Sequence, residues 1–473
     1  MLFSSIPFLF WFLPGVLILY AAAPGSLKNT VLLLSSLFFY GWGEPRYVIW
    51  MMLAILMAYL FGLLIERYQN VPKLSRLFLA LSVSSSLLML GYFKYADFFI
   101  RNVDAVTGCS ISLLNITLPI GISFYTFQIL SYTVDVYRQD VKAQRNLIDL
   151  AAYVALFPQL IAGPIVRYSD IAEQLKGRIH TMDKTAQGIR RFILGLGKKI
   201  LIANLLGELC SIFRTSDDKS VLFFWLYAVA YTLHVYFDFS GYSDMAIGLG
   251  KLFGFDFLEN FNYPFISKSI TEFWRRWHIS LSSWLKDYLY ISLGGNRKGR
   301  ARTYANLMLT MLLGGLWHGA AVRFILWGAL HGAALAVHKA LMHAFPSVFK
   351  ASGEQMRPWR RVLGVLVTFH VVCLGWILFR APDMQTGERI LSQIFGHFQW
   401  RLIPQVVSGY GAVMALMAAG YLLHMLPRRA EAWGERTVAG APLVVKALML
   451  TVLIWCVMQI KSSEIQPFIY FQF

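Results

Sequence analysis

Hydrophobic positions in this chain fall in long blocks. Apolar runs at 47–65, 78–96, 221–237, 362–379 and 441–460 reach or approach the ~20 residues an α-helix needs to cross a hydrocarbon layer about 30 Å thick. Lipid offers no partner to an unpaired backbone group, so the pattern predicts an all-α, polytopic membrane bundle. The first run, "LFSSIPFLFWFLPGVLILYAAAPGS", ends in small residues as a signal peptide does. No basic residue precedes it, and it is not read as a cleaved leader.

The polar positions between the blocks alternate in sign. Segments 67–77, 138–145, 167–199, 268–302, 339–361 and 428–446 are basic, whereas 97–112, 207–220 and 461–473 are neutral or slightly acidic. The positive-inside rule assigns the first set to the cytoplasm and the second to the outer side. Counting between loops gives about eleven or twelve transmembrane helices with both termini outside. Two segments depart from simple crossings. The run "LAAYVALFPQLIAGPIV" at 150–166 has basic flanks on both sides and contains Pro158, Gly163 and Pro164, which predicts a re-entrant or broken helix buried in protein. Segment 303–338 is long enough for two legs, with Gly314, Gly315 and Gly319 near its middle. On a straight helix His318 lies roughly 24 Å beyond Arg302, deep in the membrane.

Composition agrees with the pattern. Of 473 residues, 57% are hydrophobic and 14% charged, against roughly 25% charged in soluble domains. The formal charge of +18 follows the basic loops, so it reads as topology and not as nucleic-acid binding. Cys109, Cys210, Cys373 and Cys456 show no paired spacing, which predicts neither a disulfide framework nor a metal site. Without internal repeats or low-complexity tracts, residues 1–473 read as one integral-membrane domain.

Candidate chemistry concentrates in three places. From Ser269, which with Glu272 has capping-box spacing, the stretch "EFWRRWHISLSSWLKDYLYISLGGNRKG" reads as one interfacial amphipathic helix. Phe273, Trp274, Trp277, Leu281, Trp284, Leu285 and Tyr288 share a face, Arg275, Arg276, Ser283, Lys286 and Asp287 lie opposite, and His278 falls at the edge of the apolar stripe. These residues fit both an inert surface helix and one that offers a base near neutral pH. His318, with Trp317 before it and Gly319 after it, fits interhelical hydrogen bonding or catalysis. In "YTLHVYFDFSGYSDMAIGLG" (231–250), His234, Asp238, Ser240, Ser243 and Asp244 must be paired or hydrated. They could orient a histidine, line a polar passage or bond structurally. No GxSxG, P-loop or HExxH pattern is present.

Together the motifs "FWRRWHISLSSWLKDYLYISLGGNRKG" (273–299), "LLGGLWHGA" (312–320), "LPIGISFYTFQILSYTVDVYR" (118–138), "FPQLIAGPIVRYSDI" (157–171), "YFDFSGYSDMAIG" (236–248) and "PFIYFQF" (467–473) resemble the membrane-bound O-acyltransferases, nearly end to end. The nearest branch is the bacterial membrane component of alginate O-acetylation. The resemblance implies a helical bundle with a thinned centre, where a cytoplasmic funnel meets an outward opening. It implies that His318 is the principal catalytic residue and His278 its companion. The tryptophans of the 273–299 stretch would seat it at the cytoplasmic interface and its arginines would face headgroups or donor phosphates; Arg275, Arg276, Trp274, Trp277, Trp317, Asp238, Ser240, Asp244, Arg297 and Lys298 are the candidate substrate- or donor-binding residues.

The activity so implied is transfer of acetyl, from acetyl-CoA as donor, across the bacterial cytoplasmic (inner) membrane to an exported polysaccharide, through an extracytoplasmic acetyltransferase partner. No tightly bound cofactor is expected. The alternatives are D-alanyl transfer to teichoic acid, and a transporter or channel whose polar intramembrane groups form a path.

Overall fold

In the computed structural model every regular element among the described residues is a helix. The structure describes residues 1–215, 221–346, 357–381, 385–388, 392, 401, 403–426 and 428–460; the "PFIYFQF" tail lies outside these residues.

The helices divide into a lipid-facing shell and a buried interior. Among the described residues, Pro45–Arg67, Pro72–Thr107, Val322–Ala344 and Pro358–Arg380 are long and apolar enough to cross a membrane, and Ile403–Gly411 with Val413–Met425 form a fifth candidate bent by 73°. Only 22–39% of the apolar window in the first four is buried, so their remaining apolar faces meet lipid. The other segments counted from the loops are shorter, as Ile122–Arg138, or carry charges, as Val221–Leu252. Ile122–Arg138 and the 231–250 part of Val221–Leu252 are largely buried, so protein and not lipid surrounds them.

Val221–Leu252 is the axis of the interior: Tyr231 through Gly250 are all buried. Against it packs Met182–Gly197, and glycines seven residues apart on each helix meet in two pairs. A Cβ on Gly195 would lie 2.5 Å from the carbonyl oxygen of Gly241, and one on Gly188 would lie 2.8 Å from that of Gly248. Backbones approach this closely only where side chains are absent. The same interface holds the buried charges. Arg191 Nε and Lys198 Nζ donate to the two oxygens of Asp244 at 2.7 and 2.6 Å, and Lys199 pairs with Asp238. The carboxylates are thus paired, as their membrane depth requires.

The broken segment behaves as its sequence predicts. Leu147–Ala155 ends before Pro158, Phe157–Leu160 adds a short turn, and every residue from Leu150 to Val166 is buried. Segment 303–338 likewise forms two legs, Arg300–His318 and Val322–Ala344. They pack closely because Gly315 and Gly328 oppose backbone: added Cβ atoms would fall 2.2 Å from Phe324 O and 2.3 Å from Met311 O.

The stretch after Ser269 departs from its expected form. Ser269 Oγ caps the first turn by accepting from Glu272 N at 3.2 Å, but Ile270–Phe273 is only four residues long. His278 then takes a left-handed conformation (φ 43°, ψ 56°), and Ile279–Trp284 opens in a new direction, followed by a π-helical turn, Leu285–Tyr290. The single helix is replaced by two short ones because Asn260 supplies the bonds at the break. Its backbone oxygen accepts from Ile279 N at 2.9 Å, and Asn262 N donates to Arg276 O at 2.9 Å.

Candidate active site

His278 is held from one side. Its Nδ1 and Asn260 Oδ1 are 3.1 Å apart, and the same oxygen accepts from Ser280 N at 3.3 Å and Ser280 Oγ at 2.9 Å, while Asn260 Nδ2 donates to Ser243 Oγ at 3.0 Å. An amide oxygen only accepts, so the proton of the neutral ring lies on Nδ1 and Nε2 carries the lone pair. Nε2 is buried and has no hydrogen-bond partner in the described structure. The ring stands edge-on to Phe239, with centroids 4.6 Å apart at 87°. Burial is almost complete, at 1% exposure, which makes the left-handed backbone at His278 a constrained geometry of the kind that clusters at functional sites.

His318 is the last residue of Arg300–His318, and the chain leaves it in an extended conformation at Gly319. Its ring contacts Trp317, Trp327 and Phe379 at 5.1, 5.1 and 5.3 Å. Trp317 joins the two histidines, lying 6.5 Å from the His278 ring and stacking on Phe127 at 5.1 Å. The structure therefore brings His278, Trp317 and His318 into one aromatic cluster. Gly319 has no room for a side chain, since a Cβ there would lie 2.1 Å from the Phe324 ring.

The other expected residues distribute differently. Trp274 and Trp277 belong to the same cluster, Trp274 at 5.7 Å from Trp327 and Trp277 at 5.1 Å from Trp376. Arg276 is a brace and not a free cation: it bonds Glu272 and Asn262 O at 3.0 Å each. Arg275 is exposed, and Arg297 and Lys298 are exposed on the turn before Gly299. Asp238 and Asp244 hold lysines and an arginine on the glycine-lined interface, with Ser240 buried between them in sequence. The polar residue of that helix that does reach a histidine is Ser243, through Asn260.

Sequence reasoning missed four participants. Asn260 lies in an unremarkable loop, eighteen residues before His278, and no spacing rule marks it. His331 is 1% exposed and packs 4.7 Å from Trp327 and 5.2 Å from Trp274. Lys94 and Tyr95 reach the end of the His318 helix, Tyr95 Oη donating to Leu316 O at 2.8 Å and Lys94 Nζ donating to Trp317 O. Lys94 carried a legible signal, as a lone cation in the apolar run 78–96.

A bundle of apolar helices with two buried histidines meeting across an aromatic cluster defines an integral-membrane helical protein. The chain belongs to the membrane-bound O-acyltransferase family, whose model matches residues 34–374, and it is an O-acyltransferase. It is 41% identical to the probable alginate O-acetylase AlgI of Pseudomonas putida, over all of both chains. It is 47% identical to the probable alginate O-acetylase AlgI of Pseudomonas aeruginosa, over 85% of this chain and 76% of that one. It is also 37% identical to the peptidoglycan O-acetyltransferase of Helicobacter pylori, over 84% and 80% respectively.

Proposed function

We propose that the protein takes an acetyl group from acetyl-CoA at the cytoplasmic face and passes it toward an exported polysaccharide, alginate or a polymer like it, through an extracytoplasmic acetyltransferase. The observation that carries this reading is the convergence of His278 and His318 on Trp317, in a chain whose relatives are named as probable alginate O-acetylases. The basic loops face the cytoplasm, where the donor is made, and both termini face out.

In the reaction His318 takes the proton of the acceptor hydroxyl as its oxygen attacks the thioester carbonyl carbon. A C–O bond forms, the C–S bond breaks, and the departing CoA thiolate recovers the proton. His278 does not polarise the carbonyl in this scheme, because its proton is committed to Asn260 and a carbonyl needs a donor. Its Nε2 instead accepts a hydrogen bond and orients the hydroxyl.

The test is acyl transfer by full-length protein in proteoliposomes, supplied with labelled acetyl-CoA or with a D-alanyl carrier protein. Acetyl transfer supports the reading. D-alanyl transfer alone would move the protein to teichoic acid chemistry, and solute flux without acyl transfer would make it a permeation pathway.

A further inference from the structure

Three elements meet beside His318, and one of them is unusual. The helix Pro72–Leu90 does not run evenly into Ala96–Thr107; it passes through a single π-helical turn, Gly91–Tyr95. Isolated π turns in α-helices occur frequently at functional sites. This turn directs two consecutive side chains, Lys94 and Tyr95, at two consecutive carbonyls, Trp317 O and Leu316 O. Lys94 Nζ also donates to Ser123 Oγ at 2.9 Å and stands 5.7 Å over the Trp317 ring. Ser123 in turn accepts from Trp317 Nε1 through its backbone oxygen at 3.4 Å.

We infer that Lys94, seconded by Tyr95, is the positioning residue of His318: it clamps the end of the helix that presents the imidazole. The last carbonyls of any helix lack intrahelical donors and carry its negative pole. Leaving them bare in a membrane costs several kcal/mol each. A neutral hydroxyl suffices to satisfy one of them, as Tyr95 shows within the same turn. The Lys94 amine does what a single hydroxyl does not: it donates to both Trp317 O and Ser123 Oγ while standing over the Trp317 ring, so the residue immediately before His318 is held at its carbonyl and its indole together. Misplacement of a reacting group by about 1 Å can cost on the order of 10²-fold in rate.

The inference rests on His318 being the base, and the experiment separates the two. Full-length Lys94→Met, Lys94→Gln, Tyr95→Phe and His318→Ala are compared in proteoliposomes by kcat and KM for acetyl-CoA and by thermal unfolding. Lys94→Met is expected to lose about 10- to 100-fold in kcat with KM within about twofold, and Lys94→Gln, which keeps a donor, to recover part of that loss. If His318→Ala is inactive while Lys94→Met turns over like wild type, the inference falls and the proposed function stands. If His318→Ala is fully active, the proposed role of His318 falls first and takes the inference with it. A loss in Lys94→Met that appears equally as a raised KM and a lowered unfolding temperature would make the lysine a prop for the fold and overturn the inference. Should Lys94→Met not accumulate folded, Lys94→Gln and Tyr95→Phe carry the test: reduced kcat at unchanged KM in both supports the clamp, and wild-type kcat in both overturns it.

Discussion

Asn260 decides what His278 is able to do. One oxygen gathers three donors, from His278, Ser280 N and Ser280 Oγ, and thereby fixes ring orientation, tautomer and the start of Ile279–Trp284. Asn260→Ala would leave those donors buried without an acceptor, a penalty of about 1–3 kcal/mol for each orphaned group. The expected outcome is a clear fall in unfolding temperature and in acyl transfer. Asn260→Asp keeps an acceptor in the same place and should be more stable and more active than Asn260→Ala. Equal behaviour of the two variants would show that the amide does not set the histidine.

At this scale the sequence was informative about chemistry and poor about geometry. A histidine in an apolar neighbourhood is visible in any hydropathy pattern, and both were. The left-handed backbone of His278 was not, because a wheel with a period of 3.6 reads straight through a break that leaves no compositional trace. Its cause is a long-range partner, Asn260, which local periodicity does not register. Lys94 was visible and unread, since the rule that marks intramembrane ions as functional applied to it as well as to Asp238 and Asp244.

Between elements, the packing of Met182–Gly197 on Val221–Leu252 depends on absent side chains. Gly195 and Gly241 face one another's backbone, whereas a Cβ on Gly197, two residues along, would meet nothing within 4 Å. Gly195→Ala should therefore force the two helices apart and displace the Asp244 ion pairs, lowering folded yield. Gly197→Ala should be neutral or stabilising by up to about 1 kcal/mol. Fluorescence-detected size-exclusion of the two variants checks this, and equal yields would contradict the account. The glycines were plain in the sequence, yet their pairing was not, because spacing on one helix does not reveal which helix opposes it. The broken segment at 150–166 and the two legs of 303–338 were legible, since proline, glycine and span length act locally.

For the whole molecule, the basic loops make a strong statement about orientation. A single cysteine at position 297 should resist an impermeant thiol reagent in intact cells and react in inverted vesicles; labelling in intact cells would reverse the assigned topology. On the proposed topology the exposed Arg297, Lys298 and Arg300 lie on the side of the proposed anionic donor. Neutralising all three should raise KM for acetyl-CoA several-fold and leave kcat and insertion unchanged. An unchanged KM would reduce these charges to topology alone.

The central claim is that His318 removes a proton during acyl transfer. The most direct measurement is acetyl transfer by His318→Gln, because glutamine keeps polarity and hydrogen-bonding capacity but offers no useful base near neutral pH. The account predicts a variant with near-wild-type unfolding temperature and a rate reduced by ~10²–10⁴-fold. Substantial acetyl transfer by well-folded His318→Gln would contradict it and leave His278 Nε2 as the base of the cluster.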